Sequence, residues 1–386
     1  MATDAAMAWL RLAFTPGLPA AHARALLEAF GDPGAIFATN NHDHVTAADG
    51  THRARLSALC GTAIAGALLA PPSGSFALVL QRSAQWLAGG GNHSLVCMND
   101  ADYPAELRQL ADAPLVLFAQ GRRELLGRAA LAVVGSRNAT RQGARNAAAF
   151  AAHLGRAGLT IVSGLAAGID AAAHEGALDA GADTVAVLGT GIDVVYPAAH
   201  AALTARIAAQ GLLLSEYAAG SEPLPFHFPR RNRLIAALSR GVLVVEAAPQ
   251  SGSLITARIA ADLGREVFAI PGSIHSPLSR GCHQLLRDGA KLVETAQDVL
   301  EELRWLPLPT STHDNAAAEP QAAPSNRSLL DALGHDPADV DTLAARVGAD
   351  AGSVAAQLLE LELAQRVERL PGNRYQRLSG QHGGRT

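Results

Sequence analysis

The chain has 386 residues, 49% of them hydrophobic, enough for about two or three domains with a sizeable core. Its formal net charge is −4, which excludes a global positive field as the basis of nucleic-acid binding; any such binding rests on a local basic surface. Cys60, Cys97 and Cys282 lie far apart without metal-ligand spacing, which argues against a zinc site or a disulfide framework. The start, Met1-Ala2-Thr3-Asp4, has no basic leader, and no run reaches the roughly 18 apolar residues of a membrane helix, so the reading is a soluble cytoplasmic protein with no membrane partner.

Residues 8–70 read as helical. Trp9 to Phe14 leads into the turn signal Thr15-Pro16-Gly17-Leu18-Pro19, and Ala21 to Phe30 forms a short amphipathic helix stopped by Gly31-Asp32-Pro33-Gly34. This outline is that of a helix-hairpin-helix or sterile-alpha-motif-like module over residues 1–72. With only Arg11 and Arg24 near the hairpin, a structural cap is favoured over a phosphate-binding hairpin. A second domain is expected over 73–304. Leu95–Met98 and Leu115–Ala119 begin it as short strands, and from Ala129 a strand–loop–helix pattern repeats.

Apolar runs at Leu131–Val134, Leu159–Val162, Thr184–Leu188, Leu212–Leu214, Val242–Val245 and Glu266–Ile270 alternate with helical segments. Continuous apolar strands mean a sheet covered on both faces, so the fold class is α/β: an extended Rossmann-like, doubly wound, mostly parallel sheet. Five strands end in small-residue loops: Gly135-Ser136, Ser163-Gly164, Gly189-Thr190-Gly191, Ser251-Gly252-Ser253 and Pro271-Gly272-Ser273. Ligands of open parallel sheets bind beyond the strands' carboxyl ends, and glycine admits close backbone approach, so an anion site is expected there. Neither G-x-G-x-x-G after the first strand of this repeat nor G-x-x-x-x-G-K-[ST] is present, Lys291 being the only lysine. No cofactor, no metal and no catalytic set is expected. Asp170, Glu216 and Glu246 are read as groups that orient arginines, and His174 and His283 as structural.

The stretch Phe226-His227-Phe228-Pro229-Arg230-Arg231-Asn232-Arg233-Leu234-Ile235-Ala236-Ala237-Leu238-Ser239-Arg240 carries four arginines, and no Asp or Glu occurs between Glu222 and Glu246. Arginine offers a planar fork suited to phosphate, and aromatic rings offer bases a stacking surface. Beyond it, residues 305–326 are rich in Pro, Ala and Ser and read as a flexible linker. Residues 327–379 show three short helices and a hairpin, a winged-helix-like pattern. Its third helix, from Ser353 to Leu361, has no Arg or Lys, and residues 327–378 carry eight acidic against six basic residues, so protein contact is preferred to groove reading, with Arg374 and Arg377 as the wing's DNA contacts in the alternative.

In this order, Gly135-Ser136-Arg137, Ser163-Gly164-Leu165-Ala166-Ala167-Gly168-Ile169-Asp170, Phe228-Pro229-Arg230-Arg231-Asn232-Arg233-Leu234-Ile235, Ser251-Gly252-Ser253-Leu254-Ile255-Thr256-Ala257, Val267-Phe268-Ala269-Ile270-Pro271-Gly272-Ser273 and Ser279-Arg280-Gly281-Cys282-His283 resemble the bacterial DNA-processing protein A family (DprA, also called Smf) over residues 95–300. The resemblance implies a non-catalytic recombination mediator. Such a protein binds and protects single-stranded DNA, loads the recombinase RecA on it during natural transformation or homologous recombination, and acts as a homodimer. It implies that Gly135, Ser136 and Arg137 hold a backbone phosphate and that Arg230, Arg231 and Arg233 supply cationic contacts. Asn232 is then a polar contact or brace, Phe228 stacks or packs, and Ser163, Gly164, Ser251, Gly252 and Ser253 line the pocket. The chain departs from many relatives in having Gln142 where an aromatic residue precedes Gly143. A different class, a nucleoside monophosphate glycosidic hydrolase on a related Rossmann-like fold, would need a carboxylate such as Glu246 beside the cradle.

Overall fold

The computed structural model describes residues 4–37, 47–305, 324–334, 336–364 and 366–378. The chain divides into two compact units, Met1–Leu308 and Pro309–Thr386. The first is built on a nine-stranded sheet. In chain order its strands are β1 (His93–Cys97), β2 (Val116–Gly121), β3 (Ala130–Val134), β4 (Thr160–Ser163), β5 (Thr184–Val187), β6 (Leu212–Ser215), β7 (Gly241–Val244), β8 (Glu266–Ala269) and β9 (Lys291–Leu292). Their spatial order is β1-β2-β6-β5-β4-β3-β7-β8-β9. From β6 to β9 every pairing is parallel; β1 and β2 pair antiparallel, and β2 joins β6 antiparallel. The doubly wound, mostly parallel sheet expected from the apolar runs is therefore present.

Both faces of the sheet are buried, for the reason the sequence gives. Along β3, Ala130, Ala132 and Val134 pack into one cluster with Val162, Val187, Leu234, Ile235 and Val244, while Leu131 and Val133 pack into another with Phe150, Leu154, Ile161 and Phe268. Alternate residues of a strand face opposite sides, so a strand buried on both must be apolar throughout. Small residues bring the covering helices close. A Cβ on Gly176 of the helix Ile169–Asp179 would lie 2.3 Å from the carbonyl oxygen of Ala148 in the helix Arg141–Arg156.

The expected boundary near residue 72 is not a break in packing. Leu10, from the first helix Asp4–Phe14, and Leu80, from the helix Gly74–Ala88, share a cluster with Phe118 of β2 and Leu213 of β6. Leu12, Leu26 and Leu68 pack on Cys97, Leu115 and Val116. The N-terminal helices thus cover the antiparallel edge of the sheet, a structural cap in which Arg11 donates to the carbonyls of Leu68 and Ala70 at 2.6 and 2.9 Å. Among the described residues no single helix is long and apolar enough to cross a membrane. All three cysteines are unpaired and buried, and no metal-binding cluster occurs among the described residues.

Trp305, taken in the sequence as the first linker residue, belongs to the first unit: its indole Nε1 donates to Ala157 O at 2.9 Å. Residues 306–323 of the expected linker lie outside the described residues, and a helix starts within the rest of it, at Pro324. The second unit has the winged-helix pattern. The helices Pro324–Leu333, Val340–Val347 and Ala351–Leu363 and the hairpin Val367–Leu370 with Arg374–Arg377 enclose Leu330, Leu343, Leu358, Val367 and Tyr375. A short strand, Ala338–Asp339, not foreseen from the sequence, pairs with Arg374 and Tyr375. Asp339 and Asp350 cap the second and third helices, and Gly348 ends the second with φ of 67°.

His174 is structural and carries a pH dependence. It is fully buried, and its Nδ1 donates at 2.7 Å to the Thr184 hydroxyl, which itself donates to Ile161 O. Burial, chiefly, pushes its pKa from 6.5 down to about 3. Between these values the unfolded chain takes a proton that the folded chain refuses, so the native state loses stability as pH falls through this window, by about 1.4 kcal/mol per unit. Urea denaturation between pH 7.5 and 5 will show this slope, and His174→Gln will reduce it by about one proton.

Candidate nucleic-acid interface

The strand order reverses at β3. From β3 the chain runs through β4 and β5 to β6 on one side, and β7, β8 and β9 continue on the other. The loops that leave β3 and β7 therefore part in opposite directions and open a crevice at the carboxyl ends of the strands. A cavity of about 340 Å³ sits there. Its walls are the loop Gly135–Asn138 after β3, the loop around Gln250 and Ser251 after β7, and the first turns of two helices, His227–Leu238 and Gly252–Asp262.

Nine of the thirteen residues singled out in the sequence line this cavity: Gly135, Ser136, Arg137, Phe228, Arg231, Asn232, Ser251, Gly252 and Ser253. Asn138, Gln250 and Thr256 line it too and were missed, since nothing in a single sequence marks an Asn or Gln in a loop as inward-facing. Ser163 and Gly164 lie beneath the cavity. The Ser163 hydroxyl donates to Val133 O at 2.7 Å, and a Cβ on Gly164 would fall 2.4 Å from the Arg231 guanidinium. Two of the five small-residue loops serve packing instead. Gly189 makes room for the Phe228 ring, which a Cβ would meet at 2.8 Å, and Gly272 makes room for Ser279.

The arginines divide three ways. Arg137 is exposed; its guanidinium sits over the Phe228 ring at 5.4 Å and has no hydrogen-bond or ion-pair partner among the described residues. Arg231 is only 3% exposed. Its Nη1 donates to Val187 O and, at 2.8 Å, to Gly164 O, and its Nε donates to Asn232 Oδ1 at 3.2 Å. No carboxylate pairs with it among the described residues. Burial lowers its pKa to about 10, with Asp170 opposing, so it remains a cation at neutral pH. Arg233 corrects the expectation that it contacts DNA. It is buried and held by Asp112 at 2.9 Å and by Glu216 at 2.7 Å, so its donors are already satisfied inside the protein. Arg230 is exposed but faces a separate cleft of about 260 Å³, beside Phe14, Glu216 and Tyr217.

The three carboxylates also separate. Glu216 orients Arg233, as expected. Asp170, buried and with its pKa raised by burial, makes no ion-pair contact with Arg231 but is the carboxylate whose charge acts on it most; it accepts the backbone N–H of Gly164 at 3.1 Å and of Ala166 at 3.4 Å, holding the loop that cradles Arg231. Glu246, expected to orient an arginine, bonds instead to Thr140 among the described residues. It accepts Thr140 N at 2.9 Å and the Thr140 hydroxyl at 2.5 Å, while Thr140 Oγ1 accepts Gly143 N at 2.9 Å. The start of the Arg141–Arg156 helix is thus occupied by the protein's own acid. Asn232 braces two walls: it accepts from Arg231 and donates to Gly252 O at 3.3 Å, beside the Ser251–Ser253 hydroxyl pair at 2.6 Å. The arrangement offers one buried and one exposed guanidinium, small backbone loops and hydroxyls, and an aromatic rim.

A family model described as DNA recombination-mediator protein A matches residues 94–304, which contain every cavity residue. The chain belongs to the DNA recombination-mediator protein A family. A second model, the DprA winged helix domain, matches residues 313–373. The chain is 42% identical over 298 residues to the protein Smf of Escherichia coli, covering 76% of this chain and 79% of that one. It is 52% identical over 206 residues to the DNA processing protein DprA of Streptococcus pneumoniae, 53% of this chain and 73% of that one. The X-ray structure of the Streptococcus pneumoniae protein superposes with a TM-score of 0.63 at 40% identity, over 78% of this chain and 98% of that one. A Helicobacter pylori DNA processing protein A, solved for its single-stranded DNA binding mode, superposes with a TM-score of 0.50 at 30% identity, over 55% and 96%. Membership of the recombination-mediator family agrees with the motif resemblance, and the matched stretch spans the sheet from Ser94 in β1 to β9.

Proposed function

We propose that this chain binds single-stranded DNA in the cavity between β3 and β7, protects it, and delivers it to RecA during natural transformation or general recombination, as a cytoplasmic homodimer without cofactor or catalysis. The observation that carries the reading is Arg231. A buried guanidinium with no carboxylate in ion-pair contact among the described residues, balanced only at longer range by Asp170, is costly to maintain, and it lines a cavity whose mouth holds Arg137, a guanidinium with no hydrogen-bond or ion-pair partner among the described residues. A phosphodiester entering there would meet both cations, the Gly135-Ser136 backbone and the Ser251 and Ser253 hydroxyls. Arg230 faces the separate cleft and would meet the strand only outside this cavity, whereas Arg233 has no part in it. The Helicobacter pylori relative supports the ligand class.

The winged-helix unit is proposed to contact protein. Its third helix exposes Leu359 and Leu363 and carries no basic residue. Arg377 lies 3.8 Å from Asp331 of its own unit, which leaves Arg369 and Arg374 as exposed wing cations.

Fluorescence anisotropy of a mixed-sequence single strand against the same-length duplex, across a salt series, tests the site. Expected are a preference for the single strand and a steep negative salt slope. Arg137→Ala, which removes no internal bond, should weaken binding about tenfold and reduce the slope by about 0.7. No strand preference, or an unaltered Arg137→Ala protein, overturns the assignment.

A further inference from the structure

Tyr196 lies in the loop between β5 and β6, and its ring is 5.3 Å from that of Phe228, tilted by 41°. It is 43% exposed, beside Val195 at 40%. Its hydroxyl has no partner among the described residues. A tyrosine needed only for the core would be buried with its hydroxyl bonded. This one stands outside the core on a braced loop. Gly191 N donates to Ser221 O, Val194 N to Gly191 O and His200 N to Pro197 O, each at 2.9 Å, and Thr190 Oγ1 donates to Val194 O at 2.8 Å. On its far side Phe228 lies on Gly189, the one residue type that leaves room for that ring. Arg137 lies over Phe228, so Arg137, Phe228 and Tyr196 form a continuous run from the cavity mouth outward.

We propose that Tyr196 is a base-stacking residue: with Phe228 behind it, it forms a platform for the unpaired nucleobase next to the phosphate held in the cavity. The inference rests on the single-strand reading above and adds a recognition element for the base. The two rings are too close to admit a base between them, so the base takes the outer face of Tyr196. A duplex cannot offer that face, because its bases are stacked on one another; the platform therefore favours single strands where the phosphate contacts alone would not. The tyrosine hydroxyl is not required.

The test compares a labelled oligothymidylate with an abasic oligonucleotide of equal length, which carries the same phosphates and no bases. Tyr196→Leu should weaken oligothymidylate binding about tenfold, leave abasic binding and the salt slope unchanged, and keep the thermal midpoint. Tyr196→Phe should bind both as the parent does. Equal losses on both oligonucleotides, no loss on oligothymidylate, or a Tyr196→Phe protein as weak as Tyr196→Leu would overturn the proposal. If Arg137→Ala lowers the salt slope with both oligonucleotides while Tyr196→Leu is silent, only the stacking assignment falls. If Arg137→Ala is silent as well, the cavity reading falls and takes this one with it.

Discussion

Arg233→Ala should destabilise the first unit by about 3–5 kcal/mol, because it strands a buried carboxylate. The Glu216 side chain is 6% exposed and receives both terminal nitrogens of Arg233, at 3.1 and 2.7 Å. Without the guanidinium that largely buried charge loses both of its Arg233 hydrogen bonds. The same arginine also clamps Asp112 through its side chain and its carbonyl. The substitution therefore loosens the helix His227–Leu238 from β6 and from the loop that precedes β2. Urea denaturation measures the loss. Anisotropy under conditions where the variant remains folded should show a salt slope equal to that of the parent, since no phosphate contact has been removed. Arg137→Ala should behave in the opposite way, with unchanged denaturation and a reduced slope. An unchanged denaturation midpoint for Arg233→Ala, or a reduced salt slope, would mean that Arg233 faces the ligand after all. Two arginines drawn from one sequence-level list are thus assigned opposite work, and the two readouts tell them apart.

Gly168→Ala should be comparably damaging, about 2–6 kcal/mol from two effects of roughly 1–3 kcal/mol each. Gly168 has φ of 80° and ψ of −120°, backbone that an L-residue with a Cβ rarely adopts. Its Cβ would also lie 2.3 Å from Ser136 O and 2.7 Å from Arg137 O. Both neighbours are backbone atoms of the loop after β3, so relief requires moving the cavity wall itself. The Ile169 N–H, which donates to Ser136 O at 3.2 Å, would be displaced with it. The variant should lose single-strand affinity together with stability. Gly181→Ala is the control: φ is also positive, 68°, but nothing lies within 4 Å of the added carbon. It should cost only the backbone strain, about 1 kcal/mol, and leave binding intact. Equal effects at the two positions, or full binding by Gly168→Ala, would show that the loop is not held by this contact.

The sheet was legible in the sequence because each central strand is buried on both faces. Leu131 to Val134 and Val242 to Val245 must be apolar whichever way each side chain points, so the run announces the strand. The arginine stretch was legible as a stretch, not as four roles. A helix turns by about 100° per residue, so adjacent Arg230, Arg231 and Asn232 must face different surroundings, and only the packing says which. Likewise a domain boundary at residue 72 rests on the run Pro71-Pro72-Ser73-Gly74-Ser75, which marks a turn. It carries no information on whether Leu80 and Leu10 then bury themselves together.

By itself the sequence determined the element types, the family motifs and the kind of chemistry available: glycine, serine and arginine at strand ends, with no lysine-bearing phosphate loop. Which of the five small-residue loops form the site was decided only by the tertiary structure. The reversal of strand order at β3 parts the loops after β3 and β7, and so makes a cavity there, while the loops after β5 and β8 close on Phe228 and Ser279. Strand order follows from long-range pairing, and pairing leaves no mark on a strand whose two faces are both apolar. Whether an arginine meets a carboxylate is likewise a matter of where Glu216 and Asp112 come to rest, and they lie 17 and 121 residues from Arg233 in the chain.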